Sequence, residues 1–342
     1  MTVLWVIGNG FDLENELKSS YNDFHHWLHE QMPPSERDPE NCPPWYGTLM
    51  SGNFNDGGDY THLDLFIPFF CRLMYDLGSE KWSTLEDSLP QLDFEYAFDE
   101  QQVLDEDGDV DWYRTLYLLE FFAENVRDRL AILPNLFREW VEESVSEPLR
   151  EFEGSDDGVL GKSIGSKNYA EFQKLFSVSP NRFINFNYTS TLETLYNIDP
   201  SDIIHIHGYA DDSHSELRFG HGQSPIAVDQ ENDTPCVSAL HEFQVASKKQ
   251  LNFDALQNAN IRFEDVTTIC FYGFGFAKVD MPYIEFIAKK CTHGIPACLV
   301  TTKEYEHGFD SFKETVDPYW QDTHLILIDA PSDKELMEIV KT

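Results

Sequence analysis

The stretch Val3-Leu4-Trp5-Val6-Ile7-Gly8-Asn9-Gly10-Phe11-Asp12 decides how the rest of the chain is read. A continuous apolar run stops abruptly at a glycine, the pattern of a strand buried on both faces, as in parallel sheets. Similar runs follow at Phe183-Ile184-Asn185-Phe186, Ile203-Ile204-His205-Ile206, Thr267 to Tyr272, Ala297 to Val300 and Leu325 to Ile328. Helical stretches separate the later ones, notably Asp280 to Lys290 and Glu304 to Thr315. Strands alternating with helices imply an α/β fold, Rossmann-like, with a mainly parallel sheet flanked by helices.

Between the first and second strands the pattern changes. Residues 32–60 are rich in Pro, Gly and Asn and read as a long loop. Residues 61–150 read as helical throughout. Leu119, Phe122, Val126, Leu130, Leu133, Phe137 and Trp140 form one apolar stripe, with Pro134 as a break or kink. Residues 152–167, punctuated by Gly154, Gly158, Gly161 and Gly165, read as a connector. The expected organisation is a nucleotide-binding domain of residues 1–31 and 178–342, interrupted by a large helical insertion over 32–177.

Composition narrows the function. The chain of 342 residues carries 61 acidic and 24 basic side chains, a net charge of −37, with 41% hydrophobic residues. Such a surface repels a phosphate backbone, so direct nucleic-acid binding is disfavoured. The cysteines Cys42, Cys71, Cys236, Cys270, Cys291 and Cys298 are scattered without a CxxC pair, and no metal site is expected. Cys270 and Cys298 read as ordinary buried thiols. Asp105, Asp107, Asp109 and Asp111 lack the Gly and Glu that a calcium loop requires and read as a solvated acidic loop. The opening MTVLWVIG is too short for a signal core and no run suffices to cross a bilayer, so a cytoplasmic location is expected.

The polar residues at strand ends carry the chemistry. Gly8-Asn9-Gly10-Phe11-Asp12 offers a glycine turn and a helix start, suited to a phosphate, with Asp12 better placed for a ribose hydroxyl. It departs from the dinucleotide fingerprint, whose third glycine would fall at Leu13. Alternatively it is a tight turn with Asp12 as a helix cap. Asn187, after Phe186, stands on the rim where ligands bind open α/β sheets, unless it or Thr189 caps the next helix. Alternation places His205 and His207 on one face; His207, next to Gly208, suits a general base, and His205 reads as structural. Tyr272-Gly273-Phe274-Gly275-Phe276 is a second glycine turn at a strand end. These features converge on the carboxyl ends of four strands.

Several motifs resemble the AbiH family of phage abortive-infection proteins over most of the chain. They are Val6-Ile7-Gly8-Asn9-Gly10-Phe11-Asp12-Leu13 with Ser19-Ser20-Tyr21-Asn22-Asp23-Phe24, Trp82-Ser83-Thr84-Leu85-Glu86, Phe186-Asn187-Tyr188-Thr189, His205-Ile206-His207-Gly208 and Phe219-Gly220-His221-Gly222. The last block, Tyr272-Gly273-Phe274-Gly275-Phe276 through Asp280 and Tyr283, resembles the family's less closely: where the family usually has Gly-His-Ser-Leu, this chain has Gly273 followed by Phe274, Gly275 and Phe276. The order of elements also resembles sirtuin-type NAD-binding domains. That second resemblance implies NAD as ligand or substrate, with Gly8, Asn9, Gly10, Asp12, Gly208, Gly273 and Gly275 around it. It further implies that Asn187 holds the ribose and that His207 is the base. Thr189 stands where those domains carry Asp, and the absence of their zinc cysteines argues against protein deacylation.

The two resemblances together imply an anti-phage protein that binds NAD and hydrolyses its nicotinamide–ribose bond, a reaction in which Asp12 or Glu86 would stabilise developing positive charge. The alternatives are a nucleotide-binding sensor that signals through a partner or by forming a homo-oligomer, and an interaction protein using its acidic face.

Overall fold

In a computed structural model, the residues described are 2–32, 62–93, 104–115, 117, 132–153, 169–178, 180–212, 214–229, 234–259, 261–291, 297–301, 306–320 and 324–328. Six strands, β1 (Thr2–Ile7), β2 (Asn181–Asn185), β3 (Ile203–His205), β4 (Val266–Tyr272), β5 (Ala297–Thr301) and β6 (His324–Ile328), form one sheet in the order β3-β2-β1-β4-β5-β6. Every neighbouring pair is parallel. The chain leaves β1 for β2 and β3 on one side, then returns to β4 on the other, so the winding reverses between β1 and β4.

Residues Val3 to Ile7 are all buried because both faces of β1 are covered. Leu4 and Val6 pack in a core with Ile184, Phe271, Ile284, Ile287 and Phe312, the last three from the helices Met281–Lys290 and Glu306–Val316. Trp5, pointing the other way, meets Phe176 of the helix Tyr169–Val178 edge-on at 5.2 Å and stacks on Phe183. Its indole N–H donates to Asn181 Oδ1 at 2.9 Å, which satisfies a buried donor. The result is an α/β fold with an all-parallel sheet flanked by helices.

The expected strands recur within a residue or two of their limits, except that β3 stops at His205 and the chain turns through Ile206 and His207. The helical reading of 61–150 holds for His62–Leu77, the short turns from Ser79 to Gln91, and the helices from Leu133 to Glu153, one turn of which is a π-helix. It fails at Leu104 and Val110, which form an antiparallel bridge around an exposed acidic turn where Asp105 Oδ1 accepts from the amides of Asp107 and Asp109. Pro134 sits in the first turn of the helix Leu133–Val141, where its missing N–H breaks no bond. Leu119, Phe122, Val126 and Leu130, the loop 33–60 and the connector beyond Glu153 lie outside the described residues.

The chain divides into two compact units. One comprises Met1–Ser20, Arg138–Arg218 and Gln250–Thr342 and contains the whole sheet. The other comprises Tyr21–Phe137 and Phe219–Lys249. Among the described residues, no helix is long and apolar enough to cross a membrane.

Candidate functional site

Register places His205, Asn185, Ile7 and Tyr272 in one row across β3, β2, β1 and β4. The segments that leave this row, beginning at Ile206, Phe186, Gly8 and Gly273, therefore emerge side by side at the carboxyl edge, where the winding reverses. Open α/β sheets bind ligands at this location.

The two glycine turns interlock. Gly8 N–H donates to Tyr272 O at 3.0 Å, Gly10 N–H to Gly273 O at 2.9 Å, and Phe11 N–H to Gly8 O at 2.9 Å. A Cβ on Gly8 would lie 2.5 Å from Gly273 O, and one on Gly10 would lie 2.6 Å from Gly273 Cα. Gly273 itself has φ 60° and faces the backbone of Gly10 and Phe11. These glycines are thus explained by backbone contact between the ends of β1 and β4, and three amides of the turn are spent inside the protein. The helix that follows, Asn9–Glu14, has only six residues. Asn9 is exposed and both ends of its amide engage Ser19, at 2.7 and 3.0 Å. Gly208, at φ 74°, fits against Ser215 and Glu216, and Gly275 is exposed.

Asp12 lies within that helix, whose N-cap is Gly8, so it is not the cap. It is fully buried, and its Oδ2 accepts from Thr189 Oγ1 at 2.7 Å; Thr189 Oγ1 is in turn 3.0 Å from Thr191 Oγ1. Burial pushes the Asp12 carboxyl up to about 6, while Thr189, Thr191 and Asn187 pull it back and the charge of Glu193 adds to the rise. A carboxyl poised there exchanges protons near neutral pH.

Asn187 is presented by Asn185, whose Oδ1 accepts from the Asn187 amide at 3.0 Å and whose Nδ2 donates to Thr189 O at 3.3 Å. Neither Asn187 nor Thr189 caps the next helix, Thr191–Tyr196, where the N-cap is Ser190. Asn187 is 4% exposed, yet neither its Oδ1 nor its Nδ2 has a hydrogen-bond partner. Asp12 Oδ1 is likewise buried without one. The Asn187 amide is near enough to act on the Asp12 carboxyl but does not reach hydrogen-bond geometry. Buried polar groups left in this way cost about 1–3 kcal/mol each, a cost that a bound polar ligand removes.

His207 is 2% exposed, with Nε2 3.1 Å from an Asp280 carboxylate oxygen. Its ring is walled by Phe186 at 5.2 Å, Tyr188 at 5.9 Å and Tyr283 at 6.0 Å. His205 takes other partners: Nε2 lies 2.7 Å from Glu193 Oε1 and the ring stacks on Tyr209 at 4.4 Å. The expectation that both histidines share a face is corrected, because the strand ends at His205 and the two rings take different partners. Phe274 is buried against Phe186 at 4.7 Å and makes this side of the site apolar.

Of the residues that complete the site, Asp280 and Tyr283 stood out in the sequence only within a family-like motif and Thr189 only as a possible cap and motif residue, while nothing singled out Thr191. Asp280 is the N-cap of the helix Met281–Lys290, five residues after Gly275. Its side chain makes no cap bond and approaches His207 instead.

In the other unit, Glu86 accepts from Gly220 N–H at 3.1 Å and pairs with Lys249 Nζ, also at 3.1 Å. Its carboxylate charge is thereby matched by a cation of its own unit. His221 is fully buried, with Nε2 2.9 Å from Gln244 O and Nδ1 accepting from Gln223 N–H at 3.2 Å, and burial lowers its proton affinity. That pattern describes a neutral, structural imidazole.

No curated protein and no solved structure matches the chain. Residues 4–299, a span that takes in Gly8, Asp12, Asn187, His207 and Asp280, match the family described as Bacteriophage abortive infection AbiH, and the chain belongs to that family.

Proposed function

We propose that this abortive-infection protein binds NAD or a related nucleotide at the carboxyl edge of β1 to β4 and hydrolyses the nicotinamide–ribose bond. The carrying observation is the buried, unpartnered amide of Asn187 beside the raised carboxyl of Asp12, on the same carboxyl edge of the sheet that carries the His207–Asp280 pair. Two further features support the reading. The strand order is that of Rossmann-like dinucleotide-binding sheets, and the order of motifs resembles sirtuin-type NAD domains.

In this reaction the C1′–N bond breaks, neutral nicotinamide leaves, and water adds to C1′ to give ADP-ribose and a proton. Asn187 holds a ribose hydroxyl or the attacking water through its amide. Asp12, ionised above about pH 6, stabilises the cation-like ribose, since a fixed carboxylate aimed at developing charge lowers the barrier. His207, oriented by Asp280, accepts the water's proton. The interlocked glycine turns shape the rim, and the phosphates are expected outside the amides of Gly8, Gly10 and Phe11. The test is nicotinamide release from NAD by the purified protein, compared with Asn187→Ala and His207→Ala. Full activity in both variants would refute the assignment.

A second reading is a nucleotide-binding sensor that turns nothing over and signals through a partner or by oligomerising. It is favoured by the near-complete burial of Asp12, Asn187 and His207, which suits a site opened only on activation. It predicts a rise in melting temperature with NAD and no nicotinamide.

A further inference from the structure

A second cluster of chemistry-bearing side chains lies in the unit that lacks the sheet. The helix Tyr21–Gln31 carries His25 and His29 one turn apart, which puts both imidazoles on one face. Their ring centroids are 4.4 Å apart with the planes at 81°. The helix His62–Leu77 brings Cys71 to them. The Cys71 sulfur and one nitrogen from each histidine all lie within 4.8 Å of one another. Trp82 stacks on His25 at 4.2 Å, with planes 13° apart, and Phe70 closes on Trp82 at 5.6 Å. The thiol is buried while both imidazoles are half-buried, so the cluster has a rigid apolar wall on one side and solvent access on the other.

We propose that His25, His29 and Cys71 form a Zn2+ site. Two imidazole nitrogens and one thiolate are the ligand types zinc prefers, with bonds of about 2.0–2.1 Å to nitrogen and about 2.3 Å to sulfur. Donors on a tetrahedral zinc with such bonds stand about 3.3–3.6 Å apart, so three atoms within 4.8 Å of one another must draw in by about 1 Å to bind it. Hard cations such as Mg2+ and Ca2+ are disfavoured because the set contains no oxygen. On binding, the Cys71 S–H bond gives its proton to solvent and the thiolate donates to zinc, with no change of oxidation state. Three protein ligands leave a fourth position for water, the pattern of zinc sites that remain chemically open. The chain showed no such motif in sequence because Cys71 reaches the histidine pair only through folding. The proposal is independent of the nucleotide reading.

The test titrates chelator-treated full-length protein with Zn2+ against a chromogenic chelator, and separately with Co2+ followed by absorption. The expected result is one tight Zn2+ equivalent per chain. It should weaken by at least about 100-fold in His25→Ala, His29→Ala and Cys71→Ser, and persist in His26→Ala, which alters an exposed neighbour on the same helix. Circular dichroism of the metal-free variants checks folding. The Co2+ form of the unmutated protein should show thiolate-to-metal charge transfer, a readout that depends on no variant. Absence of a tight equivalent, absence of that band, or tight binding that survives all three substitutions would overturn the proposal.

Discussion

Thr189 Oγ1 donates a 2.7 Å hydrogen bond to Asp12 Oδ2, tying the rim of β2 to the first helix after β1. The bond lowers a carboxyl that burial has raised, and burial wins, leaving Asp12 at about 6 against an ordinary 3.8. The site therefore holds a carboxylate at a cost in stability, as functional sites commonly do.

The sign of that cost is testable. Below about pH 4 both folded and unfolded chains carry a protonated Asp12, and it imposes no penalty. Between about pH 4 and 6 the unfolded state releases its proton first, so the folded state loses stability as pH rises. Above about pH 6 the full cost, about 3 kcal/mol, is present. Asp12→Asn should therefore be more stable than wild type by up to about 3 kcal/mol at pH 8, with the gain vanishing below pH 4. Urea unfolding at a series of pH values measures this. A gain that does not depend on pH would contradict the account.

The interlocked turns predict a local intolerance. Gly273→Ala places a Cβ on a residue with φ 60° and against the backbone of Gly10 and Phe11. A loss on the order of 3 kcal/mol is expected from strain and overpacking together. Gly275→Ala, at an exposed position in the same turn, should cost far less. Equal effects in thermal melts would mean that the β1–β4 contact is not what selects glycine at 273.

Glu86 is expected to act through stability. The side chains of Lys249 and Glu86 are 1% and 12% exposed, so Glu86→Ala strips a buried ammonium of its carboxylate and should cost about 3 kcal/mol or more. The apolar double variant Glu86→Leu with Lys249→Met should recover most of the loss, because it removes both charges. Denaturation of the three proteins reads this out. A stable Glu86→Ala protein would reopen a functional role for that carboxylate.

Much of the sheet was legible because β1 to β6 are apolar runs stopped by glycines or polar residues, and the row of rim residues followed from parallel pairing. The partnerships at the rim were not. Thr189 and Asp280 meet Asp12 and His207 through tertiary approach, which leaves no periodicity in sequence. Alternation also misled at His205 and His207, since it holds only while the strand continues. That the glycines at 8 and 10 also admit the close approach of Gly273 was not legible, because Gly273 is distant in the chain.

The most direct test of the central claim is nicotinamide release from NAD by the purified protein beside its His207→Ala and Asn187→Ala variants. The account predicts release by the wild type and a loss of at least about 100-fold in each variant, with their folds intact by circular dichroism. Undiminished release by both variants, or no NAD binding or cleavage by the wild type, would contradict it.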